Sequence, residues 1–293
     1  MNMKRIAGFI LIFWVVLTIN VLSETLSIRP KESYSDTSTL IKNGIMQEAQ
    51  DSTYATRLNA INKLVWSASN FKDIYQSDTI KLQQGVELYE KLIADYPDKV
   101  MTLEVRRLLQ NTYQKLYHAT DNDAYRMKVF EVARINLQGI ENHMNIYGQS
   151  DFFMFSYGEA LNAIINHGGD VDKNDITKMI IFHKAKLVDN ISENLKSYHC
   201  QMLAAIYIYQ NEISLAMKLI NQGLIETTKT NDTMKKNNYL FLAVWAMGKS
   251  HNDVKKDEYY QQLIKNDMHI KNLVDKRIKL LLTINKSDNQ KQK

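Results

Sequence analysis

The stretch Leu203-Ala-Ala-Ile-Tyr207, followed by Ala216-Met-Lys-Leu-Ile220-Asn-Gln-Gly223, carries the clearest structural pattern in this chain. Bulky residues occupy positions 203, 207 and 220, and small residues occupy positions 204, 216 and 223. Two helices can approach closely at small residues while larger side chains fill the neighbouring grooves. The stretch therefore predicts a first helix packed antiparallel against a second helix, which together make one hairpin.

Related patterns recur elsewhere in the chain. Leu242-Ala243-x-x-Ala246 repeats the first helix, with Tyr259 in the place of Ile220, although Lys255 replaces the small residue Ala216. Gly85-x-x-x-Tyr89-x-x-Leu92-x-x-x-x-Pro97 has the spacing of a second helix that ends at a proline. Corresponding helices of successive hairpins start roughly 40–50 residues apart. A tandem array of helical hairpins is expected.

The rest of the body also has helical periodicity. The predicted helices span residues 37–49, 52–70, 77–95, 99–118, 122–145, 150–166, 173–190, 192–209, 212–228, 232–248, 252–266 and 269–284. Short polar residues suited to N-caps stand between them, at Asp51-Ser52, Ser77-Asp78, Asp121-Asn122-Asp123, Asp151, Asn174-Asp175 and Asn231-Asp232. The 293 residues include only 10 glycines and 2 prolines, too few for the tight turns of a sheet protein. The fold class is all-α, with antiparallel hairpins.

These motifs resemble the tetratricopeptide-repeat family, whose first helix carries a large-small-x-x-aromatic pattern and whose second helix carries small-x-x-x-aromatic-x-x-small. The match is good over 203–223, fair over 85–97, and loose over 109–125 and 242–259. The resemblance implies a right-handed superhelix whose first helices line a concave groove for peptides or proteins. HEAT-type helical repeats are the alternative, because the spacing exceeds the roughly 34 residues of the resembled family.

The N-terminus has the layout of an export signal. Lys4 and Arg5 precede an apolar run from Ile6 to Leu22, and a polar segment begins at Glu24. Residues 1–23 are expected to be a hydrophobic helix that acts either as a retained signal anchor or as a signal peptide cleaved before Glu24. Both readings stay open, because the apolar run is longer than the usual core of a signal peptide and is at the lower limit for a membrane-spanning helix. The body would lie outside the cytoplasm, anchored on the periplasmic side of a bacterial inner membrane or periplasmic after cleavage.

The segments after the hydrophobic run divide into three parts. Residues 24–38 are expected to form a linker, 39–285 the tetratricopeptide-like repeat domain, and 286–293 a disordered basic tail. The net charge is +5 without a dense Lys/Arg stripe, so nucleic acid is not an expected partner. Cys200 is the single cysteine, which rules out an intramolecular disulfide.

Several motifs resemble chemical sites but lack an essential part. Gly248-Lys249-Ser250 ends a permissive phosphate-binding pattern, yet no strand precedes it and bulky residues fill it. Asp170-Val-Asp172-Lys-Asn174-Asp175 begins like a calcium loop, but Asp175 and Ile181 stand where glycine and glutamate are needed. We expect these segments to be a helix end and an inter-helix turn.

The histidines do not form a recognisable metal or catalytic motif. None of the seven is placed for a zinc-protease helix, and His199-Cys200 lacks two further ligands. His183 and His199 are expected to be core or groove histidines. No Gly-x-Ser-x-Gly elbow is present. We therefore expect no enzyme activity, no metal and no small-molecule cofactor.

The resemblance also assigns residues to the groove. In the clearest repeat they are Tyr198, Gln201, Ile208 and Tyr209, and in the loose repeat they are Arg107, Asn111 and Lys115. The second set, together with Glu104 and Gln114, is almost wholly polar, as expected of a helix face left open to water or ligand. Arg107 and Lys115 could grip an acidic partner. An ordinary solvated face is the alternative.

The expected function is a non-catalytic scaffold, tethered to a membrane or periplasmic, that binds a protein or peptide partner in its groove. One alternative is an extracytoplasmic sensor or ligand-binding domain, suggested by the aromatic residues Phe152, Phe153, Phe155 and Tyr157. Core packing would explain the same residues. Another alternative is a superhelical cell-wall hydrolase, which would need a catalytic carboxylate in a cleft.

Overall fold

A computed structural model of the chain describes residues 52–70, 76–97, 99–147, 150–266 and 271–291. The hydrophobic segment, the linker and the helix predicted over 37–49 lie outside the described residues. No helix in the described part of the chain combines the length and the hydropathy needed to cross a membrane.

Within the described residues the chain forms eleven α-helices and no strand. They are α1 (Ser52–Ala68), α2 (Thr79–Asp95), α3 (Met101–Thr120), α4 (Asp123–Tyr147), α5 (Asp151–Asn166), α6 (Lys173–Val188), α7 (Glu193–Tyr209), α8 (Ile213–Thr230), α9 (Thr233–Lys249), α10 (Asp253–Asn266) and α11 (Lys271–Lys291). Each helix predicted from residue 52 onward has its counterpart, so the all-α prediction is confirmed. Helix α11 extends into the predicted tail, where no glycine or proline interrupts it.

Short polar side chains start several helices, as predicted. Asp78 and Asp232 each accept a hydrogen bond from a backbone N–H of the first turn, which confirms both as N-caps. The predicted cap at Asn174-Asp175 is wrong, because Asp172 caps α6 by accepting from the N–H of Asn174 at 2.7 Å. The segment that begins like a calcium loop, residues 170–175, therefore contains the start of α6, with Asp172 as its cap.

Three turns between consecutive helices share one backbone geometry. Gly168, Asn211 and His251 have positive φ values of 77°, 64° and 56°, and they follow the ends of α5, α7 and α9. In each turn the next N–H reaches back to a carbonyl in the last helical turn, as Glu212 does to Tyr207 at 2.8 Å. The same turn also ends α8 at Asn231, so it closes helices of both kinds and does not by itself mark a repeat.

The chain divides into two compact units, one up to Ala163 and one from Ile164 onward. In unit 1, α1 packs on α2, α2 on α3, and α3 on α4. Its core includes the fully buried side chains of Tyr89 and Leu116. Gly85 of α2 lies so close to Val65 of α1 that a Cβ at this position would overlap the valine side chain. Gly85 therefore allows α1 and α2 to approach.

In unit 2, each helix from α6 to α9 packs on the next one in the chain. Helix α7 also packs on α9, and α9 also packs on α11. Ala204 and Ala216 are fully buried, and a Cβ at Gly223 would enter the ring of Tyr239 on α9. The small residues that mark the repeat therefore lie where neighbouring helices meet, as predicted.

Candidate functional site

The residues predicted to line a groove lie on first helices, α3 in unit 1 and α7 in unit 2. The α3 polar face consists of Glu104, Arg107, Asn111, Gln114 and Lys115. Because residues three or four apart share one side of a helix, these side chains project from one side of α3. The structure brings this set together on one helix, but its members differ in burial.

Arg107 is buried, with 4% of its surface exposed. Its Nε and Nη2 atoms donate to the two carboxylate oxygens of Glu104, at 2.7 and 2.5 Å. Burial by itself would lower the pKa of Arg107, but the charge and hydrogen bonds of Glu104, together with the charges of Glu159 and Tyr89, outweigh burial and raise that pKa above its ordinary value. The guanidinium is therefore charged and already held in a bidentate pair.

Lys115 is also buried, and its Nζ donates to Ser69 Oγ at 3.0 Å. Ser69 lies just after α1 and donates in turn to the carbonyl of Val65 at 2.7 Å. Burial lowers the pKa of Lys115 to about 8, since an ammonium group is less stable away from water. Lys115 thus connects α3 to the end of α1. The expectation of an open, solvated face is wrong for Arg107 and Lys115.

Asn111 lies between these two residues, one turn from each, and is half-buried. Gln114 is half-buried as well. The part of the α3 polar face that a partner could reach without breaking an ion pair is therefore the amide pair Asn111 and Gln114. A partner-binding role for Arg107, Asn111 and Lys115 stays a prediction.

On α7, the predicted groove residue Ile208 is fully buried, and Tyr198 is buried as well. Its ring packs edge-on against His199, with 5.4 Å between the ring centres, and against His183, at 6.2 Å. Tyr209 is half-buried at the end of α7, where its hydroxyl accepts the N–H of Val171 at 3.1 Å. Tyr198 therefore packs α7 on α6, and Tyr209 bonds the end of α7 to the turn that precedes α6.

Gln201 is half-buried and joins α7 to α9. Its Nε2 donates to Ser197 Oγ at 3.1 Å, and its Oε1 accepts from Asn238 Nδ2 at 3.2 Å. Two turns before Gln201, Asn194 accepts from Lys235 Nζ at 2.7 Å. We call these five residues the α7–α9 row. It consists mainly of neutral amides and a hydroxyl, contributed by two neighbouring first helices.

Asn194, Ser197, Lys235 and Asn238 were not among the predicted site residues. The available signal was the spacing of Asn194, Ser197 and Gln201, which places three polar residues on one side of α7. Their partners on α9 could not be found in this way. Which side of α9 meets α7 depends on how the hairpins stack, and no local pattern encodes it.

The motifs that resembled chemical sites have structural roles. Lys249 donates to the carbonyls of Ile208 and Tyr209, both at 3.0 Å, and so satisfies the C-terminal end of α7. Gly248 lies within α9 and approaches Leu282 of α11. Burial raises the pKa of the Cys200 thiol to about 11, which keeps it in the unreactive protonated form at neutral pH.

The aromatic cluster belongs to a core. Phe153, Phe155 and Tyr157 are buried and Phe152 is half-buried. The Tyr157 hydroxyl donates to Glu141 of α4 at 3.1 Å. These residues therefore pack α5 within unit 1, as the core interpretation predicted. They do not form the exposed aromatic patch on which the sensor alternative was based.

Among the residues that the structure describes, no group of three or more His, Cys, Asp or Glu side chains is arranged to hold a metal ion. Comparison of the chain with known protein families, with curated proteins and with solved structures finds no match. Function must therefore be inferred from the arrangement of the helices and from the chemistry of their faces.

Proposed function

We propose that this chain is a non-catalytic scaffold with tetratricopeptide-like architecture, which binds a protein or peptide partner along its first helices. The supporting observation is that first helices of consecutive hairpins pack on one another, α7 on α9 and α9 on α11. In arrays of this kind, neighbouring first helices present one continuous surface. We further propose that the array winds as a right-handed superhelix with this surface on its concave side.

The α7–α9 row supplies the chemistry for such binding. Gln201 and Asn238 are half-buried and use only part of their hydrogen-bonding capacity on each other. Neutral amide groups can donate to carbonyls and accept from N–H groups of a peptide without the desolvation cost of an unpaired charge. This composition favours a partner recognised through polar main-chain or side-chain groups over one recognised by strong charge.

Position-specific photo-crosslinking in cells of the source organism tests this proposal. A benzophenone amino acid would replace Gln201 or Asn238 in the row and, as matched controls, Lys218 or Asn221 on the exposed side of α8. We expect the same partner to be captured from both row positions and not from the two controls. Equal capture from the row and from α8, or none from the row, would refute the assignment of this face.

We also propose that the N-terminal segment places the body outside the cytoplasm. The support is the sequence pattern alone: Lys4 and Arg5, then the apolar run, then a polar segment. Alkaline extraction of membranes separates a retained anchor from a released domain, and N-terminal sequencing of the mature chain shows whether cleavage occurs before Glu24. Protease added outside an intact inner membrane should degrade the body. Degradation only after that membrane is permeabilised would contradict the proposed orientation.

A further inference from the structure

The hairpin of α6 and α7 contains two histidines in direct contact. His183 of α6 and His199 of α7 are 0% and 1% exposed, and their Nδ1 atoms are 2.8 Å apart. A hydrogen bond between two Nδ1 atoms requires that one carries hydrogen and the other presents a lone pair. The bond therefore exists only while at least one of the rings is neutral.

The surroundings of the pair offer little to stabilise a positive charge. Phe182 packs against both rings, with 5.2 Å to the centre of His183 and 5.7 Å to that of His199. Tyr198 packs edge-on against both as well. The Nε2 atom of His183 is buried and has no hydrogen-bond partner among the described residues. A proton at this atom would have no acceptor.

Charged groups near the pair do not compensate for burial. On the α6 side, Lys186 disfavours a charge on His199, and Asp189 favours it less strongly. Helices α8 and α9 also pack on α7, and their Glu226 and Tyr239 interact electrostatically with Cys200 and with each other. Burial lowers the pKa of His199 to about 4 and lowers the pKa of His183 well below its ordinary value.

We propose that the His183–His199 pair is an acid-operated latch that holds α6 on α7 while the rings are neutral and releases it on proton uptake. The first proton converts the pair into an imidazolium hydrogen-bonded to an imidazole and places one charge in the buried site. The second proton leaves hydrogen on both Nδ1 atoms, which removes the bond and sets two like charges in rings 5.1 Å apart. Release of a bound partner on opening is a further consequence that rests on the proposed function.

The direction of the pH effect follows from proton linkage. In the opened hairpin the histidines take up protons near their ordinary pKa of about 6.5, whereas the closed pair takes them up only at lower pH. Above neutrality, proton uptake therefore does not change the stability of the closed hairpin. As the pH falls below about 6.5, the closed hairpin becomes less stable relative to the open one. Each histidine that stays neutral in the closed state raises the ratio of open to closed hairpin about tenfold per pH unit.

Titration of the histidine rings by NMR in the full, unaltered chain tests the closed state directly. We expect two of the seven histidines to remain neutral from pH 7.5 to 5.5, with one slowly exchanging Nδ1–H proton. All seven histidines titrating with midpoints near 6.5, in a chain that stays folded, would overturn the latch.

Hydrogen exchange of α6 and α7 tests the opening. After correction for the intrinsic rate, the ratio of open to closed hairpin should rise at least tenfold between pH 7 and 5 in the wild type. It should also rise in a His251→Asn control, where an exposed residue with positive φ is changed. The apolar pair His183→Leu/His199→Phe should lack this rise. The same pH dependence in all three proteins would overturn the proposal, and if the apolar pair does not fold, the ring titration decides.

Discussion

The two units stabilise polar groups on their first helices in different ways. Unit 1 buries charges: Arg107 is paired with Glu104, and Lys115 donates to Ser69. Unit 2 uses mainly neutral groups, namely the amides of the α7–α9 row and the bond that His199 of α7 makes with His183 of α6, although Lys235 also joins the row. Breaking a buried ion pair leaves a charge unpaired, while opening a neutral amide pair costs much less. We infer that α3 is built for rigidity and that the α7–α9 row is better suited to exchanging partners.

The largest effect that tests this contrast is expected from Arg107→Ala. It removes the bidentate partner of Glu104, whose side chain is 20% exposed, and should lower the free energy of unfolding by roughly 3 kcal/mol. Urea unfolding followed by circular dichroism measures the loss. The matched control is Arg126→Ala, which breaks a similar i,i+3 pair with the 65% exposed Asp123 and should cost less than about 1 kcal/mol. Equal and small losses of stability in the two variants would mean that the Arg107–Glu104 pair behaves as an exposed pair, and Arg107 would then be available to bind a partner.

The next effect concerns the close approaches of helices in both units. Gly223→Ala places a methyl group against the stiff ring of Tyr239, so we expect a loss of about 2–3 kcal/mol despite the better helix propensity of alanine. Gly85→Ala meets only Val65, a small but β-branched side chain with one strongly preferred rotamer in a helix, and should cost about 2 kcal/mol.

The control for both substitutions is Asn221→Ala on the exposed side of α8, which should be close to neutral. Val65→Ala should relieve the strain in the Gly85→Ala variant. A Gly223→Ala protein as stable as the wild type would mean that α8 and α9 do not meet at this residue.

The smallest effect is the pH dependence caused by Lys115. The unfolded chain keeps this proton up to about pH 10.5, whereas the folded protein releases it near pH 8. Raising the pH from 8 to 10 therefore favours the folded state, by roughly 1–2 kcal/mol. Urea unfolding at several pH values should show this rise in the wild type and not in Lys115→Met. A wild type whose stability is flat over this range would place Lys115 in contact with water.

Much of the fold could be predicted because its determinants are local. Asp78 and Asp232 start helices through bonds within a single turn, and Gly85 and Gly223 mark close approaches because no other residue is as small. The burial of Arg107 could not be predicted in this way. Its pairing with Glu104 satisfies the charge within one helix turn, so the polar pattern of a buried face is the same as that of a solvated face.

The contact between His183 and His199 could be predicted from their positions relative to the helix ends, although neither residue belongs to a recognisable motif. His183 lies five residues before the end of α6, and His199 lies six residues after the start of α7. Residues at similar distances from the turn of an antiparallel hairpin face each other. This rule predicts that the two residues meet, but the protonation state of the pair depends on Phe182, Tyr198 and the burial of the whole hairpin.

The central claim is that first helices of successive hairpins lie side by side. It is tested most directly by joining cysteines at Gln201 and Asn238, in a Cys200→Ser background, with a thiol cross-linker about 10 Å long, which spans two packed helices. The control pairs position 201 with Gln262, an exposed residue of α10, which packs on α9. We predict rapid intramolecular cross-linking of 201 with 238 in the folded chain and little with 262. Cross-linking of 201 with 238 that is no faster than in urea would contradict the account.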